Sequence, residues 1–331
     1  MRISVLGAGS WGTTMAALLS KRHDTLVWAR EPGLAEEISD KHHNGLFLPG
    51  HTLPDTLRAT GDLVEATERA QVLVIGIPTH AFRAVLDGIR DHVPPWIPVV
   101  SLAKGLEQGS HLRMTQVVEQ VLPGHPPAAL TGPNLAKEIL SGKAAATVIA
   151  TENATVAKTL QEILQRGLLR VYTNGDVAGC ELGGALKNVI AIAAGMAEGL
   201  AVGDNTRAAV ITRGLAELTQ LGVAMGGRAA TFAGLTGLGD LMATCLSQQS
   251  RNRHVGEELG KGRALPDILD EMVMVAEGVR TTQVAVELGD RLGLELPICR
   301  TIGRVLDGEM TAKEAYAGLR NIPAGEEAGP W

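Results

Sequence analysis
Two patterns along the 331-residue chain predict an α/β fold, a doubly wound and mostly parallel sheet, followed by an all-α domain. Over residues 1–176 short β-branched runs alternate with amphipathic stretches; over residues 177–322 that rhythm gives way to long Ala-, Gly- and Leu-rich helical patterns. A third observation, a glycine-rich turn between the first strand and the first helix, marks the opening unit as a holder of phosphorylated ligands.

Taken in order, residues 3–6, 25–28, 72–77, 99–102, 128–130 and 147–150 read as strands, because each is a short, mostly apolar run, all but 128–130 carrying β-branched residues, and is separated from the next by a helix-period stretch. The strand rhythm stops at Thr173-Asn174-Gly175-Asp176, and helical patterns then run to about Gly318, with turns at Gly226-Gly227 and Gly237-Leu238-Gly239. With no linker-like composition at the changeover, the boundary falls near Val177, where period-two strands end. The tail, residues 323–331 (PAGEEAGPW), is rich in Pro, Gly and Glu and reads as loose.

Composition excludes several classes of function. Thirty Lys and Arg against 36 Asp and Glu leave a formal charge of -6, and 3% aromatics provide few stacking platforms, so the reading includes no nucleic-acid partner. The longest uncharged apolar run, residues 189–197, stops at Glu198, short of the ~20 residues of a membrane span. Cys180, Cys245 and Cys299 are odd in number, widely spaced and free of CxxC, which argues against a disulfide framework or a zinc site and points to a reducing, cytoplasmic setting. No HExxH, GxSxG or Cys-His arrangement supports metal hydrolysis or acyl transfer.

The start of the chain, MRISVLGAGSWG, places Gly7-x-Gly9-x-x-Gly12 between a strand and a helix, the context that makes this motif specific for a Rossmann-like dinucleotide site. Gly7 permits the tight turn, Gly9 lets backbone N–H groups approach a pyrophosphate, and Gly12 lets helix pack on strand. Ser10 and Trp11 lie where they reach the dinucleotide, although Trp11 suits a packing role equally well. At the end of the second strand Arg30 leans the cofactor toward NADP(H), while Glu31 beside it keeps NAD open; a solvated Arg–Glu pair has the same sequence. Gly76-Ile77-Pro78-Thr79 and Ser101-Leu102-Ala103-Lys104-Gly105 follow other strands at their carboxyl ends, where such sheets bind ligands. Lys104 there suits an anionic or carbonyl group, or simply a solvated turn.

In the helical half, Lys187 interrupts the otherwise small and apolar stretch ELGGALKNVIA. Its side chain leans over the turn of Gly183 and Gly184, where missing side chains leave space for a ligand, and burial would tune it toward a general base. A snorkelling surface lysine is the alternative. Leu235-Thr236-Gly237-Leu238-Gly239-Asp240 is a glycine-rich loop ending in an acid, and Ser250-Arg251-Asn252-Arg253-His254 leads into a helix as an anion site would. Asp240 and Ser250 equally suit plain helix caps.

Together GAGSWGTTMA, Gly76-Ile77-Pro78, SLAKGLE, TGPNLAKEI, ELGGALKNVIAIAAG, GLGDLMATC and QSRNRHVG, in this order and spacing, resemble the bacterial-type NAD(P)-dependent sn-glycerol-3-phosphate dehydrogenases from Met1 to about Gly318. The resemblance implies a second domain like the C-terminal domain of 6-phosphogluconate dehydrogenase. It also implies hydride transfer at C2 interconverting sn-glycerol 3-phosphate and dihydroxyacetone phosphate, supply of glycerol phosphate to phospholipids, and a homodimer. Carried over by position, Ser10, Trp11, Arg30, Lys104, Ala136, Arg251, Val275 and Glu277 correspond to dinucleotide contacts. Lys104, Gly132, Asn134, Lys187, Asp240, Ser250, Arg251 and Asn252 correspond to substrate contacts, with Lys187 the catalytic proton acceptor and Lys104 stabilising charge on the same oxygen. Asn134 departs from the Thr or Ser more usual in the family. The rival readings are a β-hydroxyacid or 6-phosphogluconate-type dehydrogenase, a nucleotide-sugar dehydrogenase using Cys245, and a dinucleotide sensor or scaffold without turnover.

Overall fold
The computed structural model describes residues 1–272 and 274–319; the predicted tail and residues 320–322 lie outside them. The described chain divides into two compact units, one of residues 1–107 and 112–181, the other of residues 108–111 and 182 onward.

The first unit is built on eight strands: β1 (Arg2–Leu6), β2 (Asp24–Trp28), β3 (Arg58–Thr60), β4 (Val72–Ile75), β5 (Val99–Ser101), β6 (Pro127–Thr131), β7 (Ala145–Ala150) and β8 (Leu169–Asn174). Their spatial order is β3-β2-β1-β4-β5-β6-β7-β8. Every pairing is parallel except β6 with β7, where Leu130 faces Ile149 in antiparallel register. Alternate residues of one strand serve opposite cores: Val72 and Val74 pack into one apolar layer, Leu73 and Ile75 into the other. Burial on both faces is why these strands read as continuous apolar runs.

Two strands escape the sequence reading. β3 is the three-residue RAT with its first residue exposed, too short and too polar to give an apolar run. β8 is an edge strand whose exposed Arg170 and Tyr172 alternate with buried Leu169 and Val171. The strand read to residue 77 ends at Ile75, because Gly76 turns to donate its N–H to Leu6 O at 2.7 Å.

The second unit is helical. Its long helix, Val177–Gly199, crosses the helix Arg251–Gly260 so closely that a methyl group at Gly195 would sit 2.0 Å from Arg253 O, and one at Gly256 2.0 Å from Ile192 O. Only glycine permits this backbone-to-backbone approach. The predicted turn at Gly237-Leu238-Gly239 is instead a single π-helical turn, Leu235–Gly239, running directly into the helix Asp240–Leu246. Such wide turns recur at functional sites.

By length and composition two stretches match a membrane span after all: Val177–Gly199, with mean hydropathy 1.4, and Ala229–Leu246. The first is a core helix, 94% of its most apolar window being buried within the protein; 44% of the corresponding window of the second is buried. The sequence reading missed them because scattered charges break every uncharged run, and those at Lys187 and Asp240 are paired inside.

Candidate active site
In the first unit the strand order reverses between β1 and β4, and the crevice at their carboxyl ends is where such sheets hold ligands. Gly7 has φ +111°, and an added Cβ there would lie 2.6 Å from Gly76 O; at Gly12 it would lie 2.0 Å from Gly7 O. These contacts press the first helix, Ser10–Ser20, onto the ends of both strands. Gly9, by contrast, has nothing within 4 Å of its missing side chain, so the turn is open there, beside first-turn N–H groups that lack intrahelical acceptors. Trp11 packs partly against the core, yet its buried Nε1–H has no hydrogen-bond partner among the described residues. An open glycine turn and an orphaned donor beside it fit a bound dinucleotide.

At the end of β2 a recess of about 580 Å³ is lined by Ala29 to Gly33, Thr60 and Gly61 among others. Arg30 lies on it with its side chain 74% exposed, paired to Glu31 at 3.1 Å. In the loops that follow β5 and β6, Lys104 Nζ donates to Gly132 O at 2.7 Å, bringing two predicted positions together. Asn134 Nδ2 donates to Thr147 Oγ1 at 3.1 Å, and its buried Oδ1 has no partner among the described residues. Ala136 opens the helix Ala136–Leu140, and its carbonyl accepts from Thr14 Oγ1 of the first helix.

In the second unit Lys187 is 4% exposed and donates to Asp240 Oδ1 at 2.8 Å and to Thr244 Oγ1. Thr244 in turn donates to Asp240 O at 2.6 Å, one helical turn back. The space expected beside Gly183 is not open: a Cβ there would lie 2.6 Å from Thr236 O. The missing side chain instead admits the π-turn, and so delivers Asp240 to Lys187. A snorkelling role for Lys187 is thereby excluded.

Ser250 caps the helix Arg251–Gly260, its hydroxyl accepting from Arg253 N at 3.2 Å. Arg251 spends one of the five N–H groups of its guanidinium on Val275 O at 2.7 Å. Asn252 is buried between Asn188 Oδ1, to which it donates at 2.9 Å, and Gly278 N, from which it accepts at 2.9 Å. It thereby ties the start of the helix Glu277–Leu292, which carries Glu277, to the long helix. Sequence reasoning missed the roles of Thr244 and Asn188. The one signal for Thr244 is its i+4 spacing from Asp240; Asn188, next to Lys187, has none.

Residues 2–157 match the profile of the NAD-dependent glycerol-3-phosphate dehydrogenase N-terminus, and residues 176–317 that of its C-terminus. The chain belongs to this family. It is 54% identical over 330 residues, covering 100% of this chain and 99% of the relative, to a glycerol-3-phosphate dehydrogenase [NAD(P)+] of Sphingopyxis alaskensis. A second relative of the same name, from Citrifermentans bemidjiense, is 46% identical, with 98% of each chain covered. The crystal structure of glycerol-3-phosphate dehydrogenase from Coxiella burnetii superposes with a TM-score of 0.92 at 35% identity, covering 97% of this chain and 99% of that one. A ketopantoate reductase from Ralstonia eutropha shares the fold alone, at 15% identity and a TM-score of 0.61.

Within this family the cysteine rival loses its footing. Cys245 is 2% exposed, and burial pushes its thiol up to about 12, far from the reactive thiolate range. All three cysteines are buried, and none is in a disulfide.

Proposed function
We propose that this chain is an NAD(P)-dependent oxidoreductase that interconverts sn-glycerol 3-phosphate and dihydroxyacetone phosphate. The buried Lys187–Asp240 pair, completed by Thr244, carries the reading. A lysine this deep needs a chemical purpose, and in this family the purpose at hand is moving the proton of a secondary alcohol.

When bound, the nicotinamide supplies the hydride for reduction of the C2 carbonyl, or accepts it on oxidation of the alcohol. Lys187 takes or returns the hydroxyl proton on the C2 oxygen. Asp240 and Thr244 occupy two positions on its Nζ; the remaining position faces that oxygen, as the lone pair of the neutral amine when the proton is taken and as an ammonium N–H when it is returned. Lys104, steadied on Gly132 O, stabilises negative charge on the oxygen. The remaining guanidinium donors of Arg251 and the hydroxyl of Ser250 hold the phosphate, with Asn134 completing the substrate contacts and Asn252 setting the position of its neighbours. Gly7, Gly9, Ser10, Trp11 and Gly12 hold the pyrophosphate side of the dinucleotide, Arg30 its adenosine ribose, and Ala136, Val275 and Glu277 further edges.

The same family reading carries the supply of glycerol phosphate to phospholipids and a homodimer in a reducing cytoplasm, the last in keeping with three buried thiols. The test is absorbance at 340 nm with dihydroxyacetone phosphate and NADPH or NADH, beside the unphosphorylated ketone. Oxidation that requires the phosphate is expected. Dinucleotide binding without oxidation would favour the sensor, and turnover of hydroxyacids instead would favour that rival.

A further inference from the structure
The loop after the helix Leu34–Lys41 sends one side chain back to the glycine turn. Asn44 is fully buried. Its Nδ2 donates to Ala8 O at 2.8 Å and to Thr13 Oγ1 at 2.9 Å, while its Oδ1 accepts from Phe47 N at 3.0 Å. Thr13 Oγ1 donates its own hydrogen to Ala8 O at 2.9 Å. Both amide hydrogens, the hydroxyl hydrogen and the carbonyl between them are therefore accounted for, and Ala8 O receives two donors at once. The base of this strut is fixed in turn: His43 N donates to Glu37 O, and Gly45 N to Glu37 Oε1 at 2.8 Å.

The consequence follows from peptide geometry. A trans peptide sets the Ala8 carbonyl opposite the Gly9 N–H. Holding that carbonyl toward Asn44 and Thr13 aims the Gly9 N–H the other way, and Gly9 is the residue at which the turn is open. Thr13 alone could hold the carbonyl only as firmly as one rotatable hydroxyl allows; the Asn44 amide also fixes that hydroxyl.

We propose that Asn44, acting through Thr13 and Ala8, is a positioning residue that presets the Gly9 N–H for the pyrophosphate of the dinucleotide. The proposal rests on the dehydrogenase reading above. It assigns the 42–53 loop a role in cofactor affinity although Asn44 lies outside the glycine motif.

The test compares Asn44→Ala, Thr13→Val and Thr13→Ser with the parent protein, by calorimetry with NADPH, ADP and adenosine and by steady-state kinetics with dihydroxyacetone phosphate. Asn44→Ala and Thr13→Val are expected to weaken NADPH and ADP about 10-fold, as for loss of one well-aimed hydrogen bond to a charged group. Adenosine affinity, kcat at saturating NADPH and the KM for dihydroxyacetone phosphate are expected to hold, and Thr13→Ser to restore binding. Should Asn44→Ala fail to fold, the Thr13→Val and Thr13→Ser pair decides alone. A lower Tm with unchanged ADP affinity, or equal losses for ADP and adenosine, would overturn the proposal and leave Asn44 a structural strut. A parent protein that binds no dinucleotide would instead overturn the dehydrogenase reading, and this proposal with it.

Discussion

Lys187 and Asp240 form an ion pair inside the second unit, with side chains 5% and 2% exposed. Replacing Lys187 by Ala is expected to lower kcat by on the order of 10²–10⁴-fold, the span of general acid–base catalysis, without changing dinucleotide affinity. It also removes the cation of a buried ion pair, which costs about 3–5 kcal/mol when one partner of such a pair is lost. The double variant Lys187→Met with Asp240→Asn removes both charges, so it should recover Tm but not turnover. Recovery of turnover would take the lysine out of the mechanism. A different residue is expected to contribute to the acid limb of stability. Arg69 and then Arg58 hydrogen-bond the Asp24 carboxylate and hold it near 2, against an ordinary value of 3.8. A carboxyl lowered on folding contributes stability that is present above its unfolded value and lost as pH falls through its folded one. Asp24→Asn should therefore flatten the fall of Tm between about pH 4 and pH 2. Its cost at neutral pH stays within the ~1 kcal/mol of exposed pairs, since the side chain is 46% exposed. An unchanged acid limb would assign that loss to other carboxylates.

Among the elements, the π-helical turn Leu235–Gly239 has the most to do with the site, because it ends on Asp240. It fits against the long helix only through the missing side chain of Gly183. Gly183→Ala is expected to cost about 1–3 kcal/mol, as overpacking does, and to lower kcat by moving Asp240, with NADPH affinity intact. Unchanged kcat would mean the turn is not what places Asp240. Legibility differed by element for physical reasons. The buried parallel strands were readable because both their faces are apolar. β8 alternates as an edge strand does, yet it comes in sequence directly before the helical half, where the strand rhythm ends. The pair Gly183-Gly184 reads as room for a ligand, yet at Gly183 the backbone of Thr236 takes that room; a sequence shows that a side chain is missing but not which backbone comes to fill the space.

For the molecule as a whole, three cysteines buried at 0%, 2% and 5% exposure make a simple prediction. The native protein should resist Ellman's reagent, and denaturation should release the chain's three thiol equivalents. A thiol that reacts rapidly in the native state would show that its helix opens. Saturating NADPH should also raise Tm, since a ligand at 100 times its Kd stabilises by about 2.7 kcal/mol.

Local order was legible in the chain itself. The GxGxxG turn, the β-branched strands, the change to helical period near residue 177 and a lysine set in an apolar helix all lie within short windows, where periodicity and residue chemistry act directly. Pairing was not. Lys187 meets Asp240 across 53 residues, and Asn44 meets Ala8 across 36. Folding chooses those partners, because a buried donor or charge must find its complement among whatever groups the packing of distant elements brings within reach.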